Sequence, residues 1–251
     1  MVGILLIGDE ILSGGVRESN LHPMVTTLEG IGYSVGEVRI VRDDVTEIAE
    51  AYRALADRYE FVISAGGIGP THDDVTAEGV ALALGLDLEV NPEMVRFLKA
   101  RYGEPLAPMV ARMAELPPGT EVLGRAEGHW PLIRCGSLFI LPGLPRALTD
   151  KIARVARILP ARSRIVTAEL YLTEDESDFA DWLDRFQRET PTVAIGSYPM
   201  VGDYDHRSRI VVRGRDRDAV FAAASSIKRH FRERRTLVRV GGILDEHSEQ
   251  T

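Results

Sequence analysis

The chain has 251 residues, 45% of them apolar, enough to bury a full core in one large domain or two unequal ones. A formal net charge of -8 argues against a general nucleic-acid or membrane-surface binder, and lysine occurs only at Lys99, Lys151 and Lys228, so nearly all positive charge is arginine. A single cysteine, Cys135, excludes an internal disulfide; residues 1–8 lack the basic stretch of a signal peptide and no later run approaches transmembrane length, so the expected location is the cytoplasm.

Residues 2–7 form a continuous apolar run, as expected of a strand buried on both faces of a parallel sheet, and the run ends at Gly8, Asp9 and Glu10. Ser13, Gly14 and Gly15 then break the chain. Leu21, Met24, Val25 and Leu28 recur at helical spacing, with Ser19 or Asn20 as cap and Gly30 and Gly32 as stop. Residues 33–41 read as a second strand running to Asp43 and Asp44; Ile48, Tyr52, Leu55 and Tyr59 mark the next helix, capped by Asp44 with Glu47 three residues on. Residues 61–65 are a third strand, and Val75, Gly79 and Leu82 share one face of a helix stopping at Gly85. This alternation predicts a doubly wound parallel sheet with right-handed crossovers, whose ligands bind at the carboxyl ends of the strands.

At the end of the third strand, residues 66–74 read GGIGPTHDD. A strand feeding a glycine turn and a helix start offers free backbone N–H groups to an anion. After Gly67 and Gly69 the place of a third Rossmann glycine is held by His72, and no Lys-Ser or Lys-Thr closes the loop, so neither the dinucleotide fingerprint nor a Walker A loop is present. Asp73 and Asp74 would repel a bare phosphate, so an anion site here needs a divalent cation between them; a glycine turn with an aspartate cap is the other reading of the same letters. All three strands end in acidic pairs: Asp9 with Glu10, Asp43 with Asp44, Asp73 with Asp74. Clustered carboxylates repel unless a cation neutralises them, and an open hard-cation site is what pyrophosphate chemistry uses.

Further on, residues 91–102 and 107–116 read as helices, the first with Pro92 in its opening turn, and short strands follow at 120–123, 131–134 and 138–141 around a Gly136-Ser137 turn. Gly128, His129 and Trp130 offer an aromatic wall or simply packing. LPGLPR at 141–146, with Pro142, Gly143 and Pro145, is either a second N–H-bearing loop or a proline-initiated helix, continued by Leu148, Ile152 and Val155. Residues 159–161 look like a linker, dividing the chain into 1–159 and 160–251. Beyond it the order is βαββαβ, a small α+β domain: Val166, Ala168, Leu170 and Leu172 alternate, Thr173 and Glu176 are spaced as a capping box, and Asp216 caps a helix carrying Val220, Ala224, Ile227 and Phe231. No GxxG loop joins two helices there, so no KH-type nucleic-acid site is expected, and the basic cluster around Arg229 to Arg235 complements a helix end.

GDEILSG at 8–14, GGIGPTHDDVT at 66–76, LPGLPR at 141–146 and GSYP at 196–199 together resemble the molybdopterin-binding-like (MoaB/Mog) domain superfamily. Within it the chain is most similar to the N-terminal part of CinA-type proteins and the N-terminal domain of eukaryotic FAD synthase. The resemblance implies a three-layer α/β domain with a mostly parallel sheet, a homo-oligomer (dimer or trimer), and hydrolysis of the pyrophosphate of a nucleotide such as ADP-ribose or FAD with Mg²⁺, Mn²⁺ or Co²⁺. Asp9, Asp43 and Asp74 match the family's acidic positions, and with Asp73 they are the expected metal ligands. In the segment Arg17, Glu18, Ser19, Asn20, only Asn20 fits the family's Asp/Asn-x-Asn. Expected substrate contacts are Gly8, Asp9, Asn20, Gly66, Gly67, Gly69, Pro70, Thr71, Pro142, Gly143 and Pro145, with His72 as proton donor. Two other readings share the cleft: adenylylation or handling of molybdopterin, and a non-catalytic nucleotide- or pterin-binding module.

Overall fold

A computed structural model describes residues 1–124, 130–202 and 204–243. The chain divides into two units, Met1–Arg162 and Ser163–Thr251. The first carries β1 (Val2–Ile7), α1 (Asp9–Leu12), α2 (Leu21–Gly30), β2 (Val35–Val41), α3 (Val45–Ala56), β3 (Phe61–Ala65), α4 (Thr76–Leu84), β4 (Glu89–Val90), α5 (Pro92–Tyr102), α6 (Pro108–Arg112), β5 (Glu115–Leu116), β6 (Glu121–Leu123), β7 (Leu132–Cys135), β8 (Leu138–Leu141) and α7 (Pro145–Ile158). Its main sheet runs β2-β1-β3-β8-β7-β6, with β2, β1, β3 and β8 parallel and the β6–β7–β8 edge antiparallel.

The unbroken apolar run of β1 is explained by two cores. Leu5 and Ile7 pack with Ile48, Tyr52 and Leu55 of α3, Val80 of α4 and Met94 and Leu98 of α5. Ile4 and Leu6 point the other way, onto Met24 and Leu28 of α2 and Leu148, Ile152 and Val155 of α7. Each such side chain contributes about 1.5–3 kcal/mol by burial, so a polar residue anywhere in β1 would lose one core or the other. Three layers result, helices on both faces of a mostly parallel sheet. Gly79 lets α4 lie against α3, because a side chain there would start 2.4 Å from Ile48 Cγ2.

The second unit carries β9 (Val166–Leu172), a 3-10 turn (Glu176–Asp178), α8 (Ala180–Glu189), β10 (Ala194–Pro199), β11 (Ser208–Gly214), α9 (Arg217–Glu233) and β12 (Leu237–Gly242). Its antiparallel sheet runs β10-β11-β9-β12, and Ala168, Leu170 and Leu172 alternate into a core with Phe179, Leu183, Ile227 and Phe231. Asp216 caps α9, accepting from Asp218 N and Ala219 N.

Several local expectations are corrected. Helix α1 follows β1 directly; four residues are too few to show a period. Asn20 stands at the N-cap of α2 as one of the two expected residues, but its side chain makes no capping bond: Glu18 Oε1 accepts from Asn20 N and Leu21 N at 2.5 and 2.9 Å, freeing the Asn20 side chain. Asp44 does cap α3, but Glu47 reaches back to Arg42 N and not to the cap residue. Leu82 is 45% exposed, and the buried face of α4 is Thr76, Gly79, Val80 and Ala81. The helix expected over 107–116 stops at Arg112, and Glu115–Leu116 pairs with Glu89–Val90. In the second unit the capping box is Asp175 with Asp178, two residues on from Thr173 and Glu176.

Candidate functional site

Strands β1 and β3 are neighbours whose following connections run in opposite directions, β1 to β2 on one side and β3 toward β8 on the other, and between such carboxyl ends open α/β sheets bind ligands. A cleft of about 930 Å³ opens there, lined by Gly8, Asp43, the 66–70 loop, Asp73 and Asp74, and the 142–146 loop.

The glycine loop is held from behind. Gly66 N donates to Leu141 O at 3.1 Å, Thr76 N donates to Gly67 O at 3.1 Å, and the buried Thr76 hydroxyl donates to Gly66 O at 2.9 Å. Gly66 and Gly67 have φ of +114° and +62°, conformations that favour glycine. Among the described residues no acceptor takes the N–H groups of Gly67, Ile68 or Gly69. Thr71 closes the turn: its N–H and hydroxyl donate to Asp74 Oδ2 at 2.8 and 2.5 Å, and the hydroxyl also meets Asp73 Oδ1 at 2.5 Å. That bond is the leading cause of the lowered pKa of Asp73. Arg112 of α6 ties the loop down, bonding Asp74 O at 3.2 Å and Glu78 Oε1 at 2.6 Å.

The carboxylates flank this loop. An atom added to Gly67 would lie 3.4 Å from Asp43 Oδ1, and one added to Gly69 would lie 2.6 Å from Asp74 Oδ2. Burial raises the Asp43 pKa above its ordinary 3.8; the Asp9 N–H bond to Asp43 Oδ2 (3.0 Å) opposes this, and the charges of Glu10, Asp9 and Asp73 add to it. The ends of β1, β2 and β3 therefore share one electrostatic environment. Among the described residues no three His, Cys, Asp or Glu side chains form a ready metal cage. A small hard cation is commonly held by one or two carboxylates plus substrate phosphates, and Asp43 and Asp74 beside a loop with free N–H groups fit that donor set.

Of the remaining expected residues, Asn20 works from outside the cleft, its Nδ2 donating to Gly143 O at 2.7 Å while its buried Oδ1 has no donor among the described residues. Gly143 in turn lies against Gly66, so the three loops touch. Asp9 contributes through its backbone N–H, and its own side chain is exposed. The His72 side chain is 95% exposed beside Asp73, away from the cleft lining. Gly128 and His129 lie outside the described residues, whereas Trp130 lines the cleft and packs edge-on against Phe97 at 5.0 Å.

Sequence reasoning missed Arg101 and Tyr102 at the end of α5, and Arg146, Asp150 and Lys151 on α7, all of which line the cleft. Only Lys151 left a signal, as a cation on the apolar face marked by Leu148, Ile152 and Val155.

These features define a ligand-binding α/β domain of the doubly wound kind, with both acidic and basic side chains lining one cleft, joined in sequence to a small antiparallel α+β domain. The family described as a probable molybdopterin binding domain matches residues 3–161, and the chain belongs to it. The family described as FAD synthase, middle domain, matches residues 164–239. Relatives include a probable FAD synthase of Caenorhabditis elegans, 29% identical over 90% of this chain and 49% of its own length. A CinA-like protein of Frankia casuarinae is 31% identical over 85% of this chain and 54% of its own. The chain thus spans about half the length of these two relatives. The crystal structure of the CinA protein from Thermoplasma acidophilum, a protein of unknown function, aligns with a TM-score of 0.59 at 31% identity, covering 62% of this chain and 96% of that one. No described helix is long and apolar enough to cross a membrane.

Proposed function

We propose that this chain hydrolyses the pyrophosphate bond of a dinucleotide such as ADP-ribose or FAD, assisted by Mg²⁺, Mn²⁺ or Co²⁺. The observation that carries the reading is Asp43, half-buried among the charges of Glu10, Asp9 and Asp73 and beside the glycine loop. The N–H groups of Gly67, Ile68 and Gly69 bind phosphate oxygens, and Pro142 and Gly143 close the other side. Asp43 and Asp74 would hold the cation, whose chemistry when bound would be to neutralise the acidic rim and to supply Lewis-acid polarisation of phosphate and water. Water oxygen bonds to one phosphorus, the bridging P–O bond breaks, and two monophosphates and a proton leave. Tyr102, 49% exposed, and Trp130 offer aromatic surface to a base or flavin ring. His72, exposed beside Asp73 at the mouth of the loop, is the proton donor of this reading and would turn toward the leaving phosphate. Family membership supports a second reading, nucleotide or pterin binding without hydrolysis, and by analogy with relatives of this fold the chain assembles as a dimer or trimer, which light scattering tests.

Purified protein incubated with ADP-ribose, FAD, NAD and ATP under each metal is expected to release monophosphates from one or more of them, and EDTA to stop it. Asp74→Asn should lower kcat by about two to three orders of magnitude with the melting curve intact, the scale of losing a main electrostatic contact. Turnover indifferent to EDTA, or an Asp74→Asn variant near wild type, refutes the metal-dependent reading; tight binding without products supports the second.

A further inference from the structure

Lys151 is 2% exposed, yet it lines the cleft from the second turn of α7. Taking an ammonium out of water costs several kcal/mol unless a partner offsets it. The partner here is the neighbouring residue, Asp150, whose Oδ2 accepts from Nζ at 2.5 Å while its own side chain is 53% exposed. Adjacent helix residues do not face each other, so Asp150 must reach across from the solvent side, and a pair built only for stability would leave both groups in water. An ammonium has three donors, and the Asp150 carboxylate takes one. The surroundings explain where a further acceptor would come from. Arg146 and Arg101 line the same cleft, whereas the loop side carries Glu10, Asp43, Asp73 and Asp74. The cleft therefore offers both carboxylates suited to a cation and, from the start of α7, cations suited to an anion.

We infer that Lys151 is a phosphate-binding residue of this cleft: its buried ammonium takes an oxygen of the diphosphate of a nucleoside diphosphate or its esters, and it selects phosphorylated ligands over bare nucleosides. This deepens the nucleotide reading above and rests on the cleft being a nucleotide site; it does not need hydrolysis. Asp150 holds the ammonium in place before the ligand arrives and competes with the phosphate for it.

Calorimetric titration of the full chain with ADP and with adenosine, both in saturating Mg²⁺ so that the acidic rim is neutralised alike for every variant, tests this. Wild type should bind ADP more tightly than adenosine. Lys151→Met should weaken ADP by about ten- to a hundredfold, the scale of a charged hydrogen bond, and leave adenosine within about twofold. Lys151→Arg should recover most of the loss, and Asp150→Asn should tighten ADP by removing the competitor. Because Met fills a similar volume without charge, Lys151→Met should melt no lower than wild type; if it fails to fold, Lys151→Arg and Asp150→Asn carry the test. Parallel loss of ADP and adenosine, an unchanged ADP affinity, or a wild type that does not distinguish the two ligands overturns the inference. A Lys151-dependent preference for ADP in a protein that hydrolyses nothing would leave it standing while the pyrophosphatase reading falls.

Discussion

Replacing Gly67 by alanine isolates what the glycine loop requires. At φ +62° the alanine sits in the left-handed region, which costs an L-residue about 1–2 kcal/mol. Its methyl would also start 2.4 Å from Thr76 Oγ1, a contact no real side chain makes. Thr76 is fully buried and its hydroxyl bonds Gly66 O, so it has nowhere to turn without losing that bond. Overpacking and a lost hydrogen bond together add about 2–3 kcal/mol. Gly85 is the control, since its φ is +67° and nothing stands within 4 Å of an added methyl. Gly85→Ala should therefore show the backbone cost alone. At about 2–4 °C per kcal/mol for a unit of this size, Gly67→Ala should melt roughly 4–12 °C below Gly85→Ala in parallel circular dichroism scans. Equal melting temperatures would refute the claim that Thr76 fixes the loop.

Three further outcomes are expected. The raised Asp43 pKa means the folded state holds that proton more tightly than the unfolded chain, so ionising Asp43 destabilises: stability falls as pH rises from the ordinary 3.8 through the raised value. Asp43→Asn in EDTA should accordingly melt above wild type at pH 7, with the gain shrinking below pH 4 (about the unperturbed aspartate value), and a lower melting point at pH 7 contradicts it. A chain ending at Arg162 should fold, because both cores of the first unit lie before it and the Tyr33 hydroxyl bonds Pro160 O at 3.1 Å while Arg162 stacks on the Tyr33 ring at 4.3 Å; absent cooperative melting would count against this. Cys135 is 6% exposed with its pKa raised by burial, so iodoacetamide should label it slowly in native protein and fast in urea, and rapid native labelling would be inconsistent with that burial.

How much of this was legible in sequence depends on the range of the interaction involved. Residues 2–7 and 61–65 could be read as strands because an unbroken apolar run between glycine signals has few other fates, and Asp44 could be read as a cap because its partners are two and three residues away. Glu18 was overlooked as the cap of α2 because its long side chain reaches over Ser19 and Asn20, the residue types a cap search stops at. The acidic rim was anticipated from strand ends alone, since topology brings the ends of parallel neighbours together. Arg101 and Tyr102 gave no hint: they close an ordinary amphipathic helix, and only the packing of α5 brings them to the cleft.

Gly66 has a consequence for how relatives can be judged. Any side chain there would begin 2.1 Å from the carbonyl oxygen of Ile7, which belongs to the backbone of β1, a strand paired on both edges, and cannot yield. The residue is thus demanded by folding whether or not the cleft does chemistry. Saturation mutagenesis scored for soluble expression should return an empty column at 66 even under no selection for activity, while Asp43→Asn, which keeps an acceptor for the Asp9 N–H, passes. On the hydrolysis proposed above, a lineage that lost it would keep the double glycine while the Asp43 carboxylate was free to become an amide. The glycine motif is therefore a mark of the fold and no evidence of activity, and the Asp43 carboxylate is where the proposed chemistry would leave its trace.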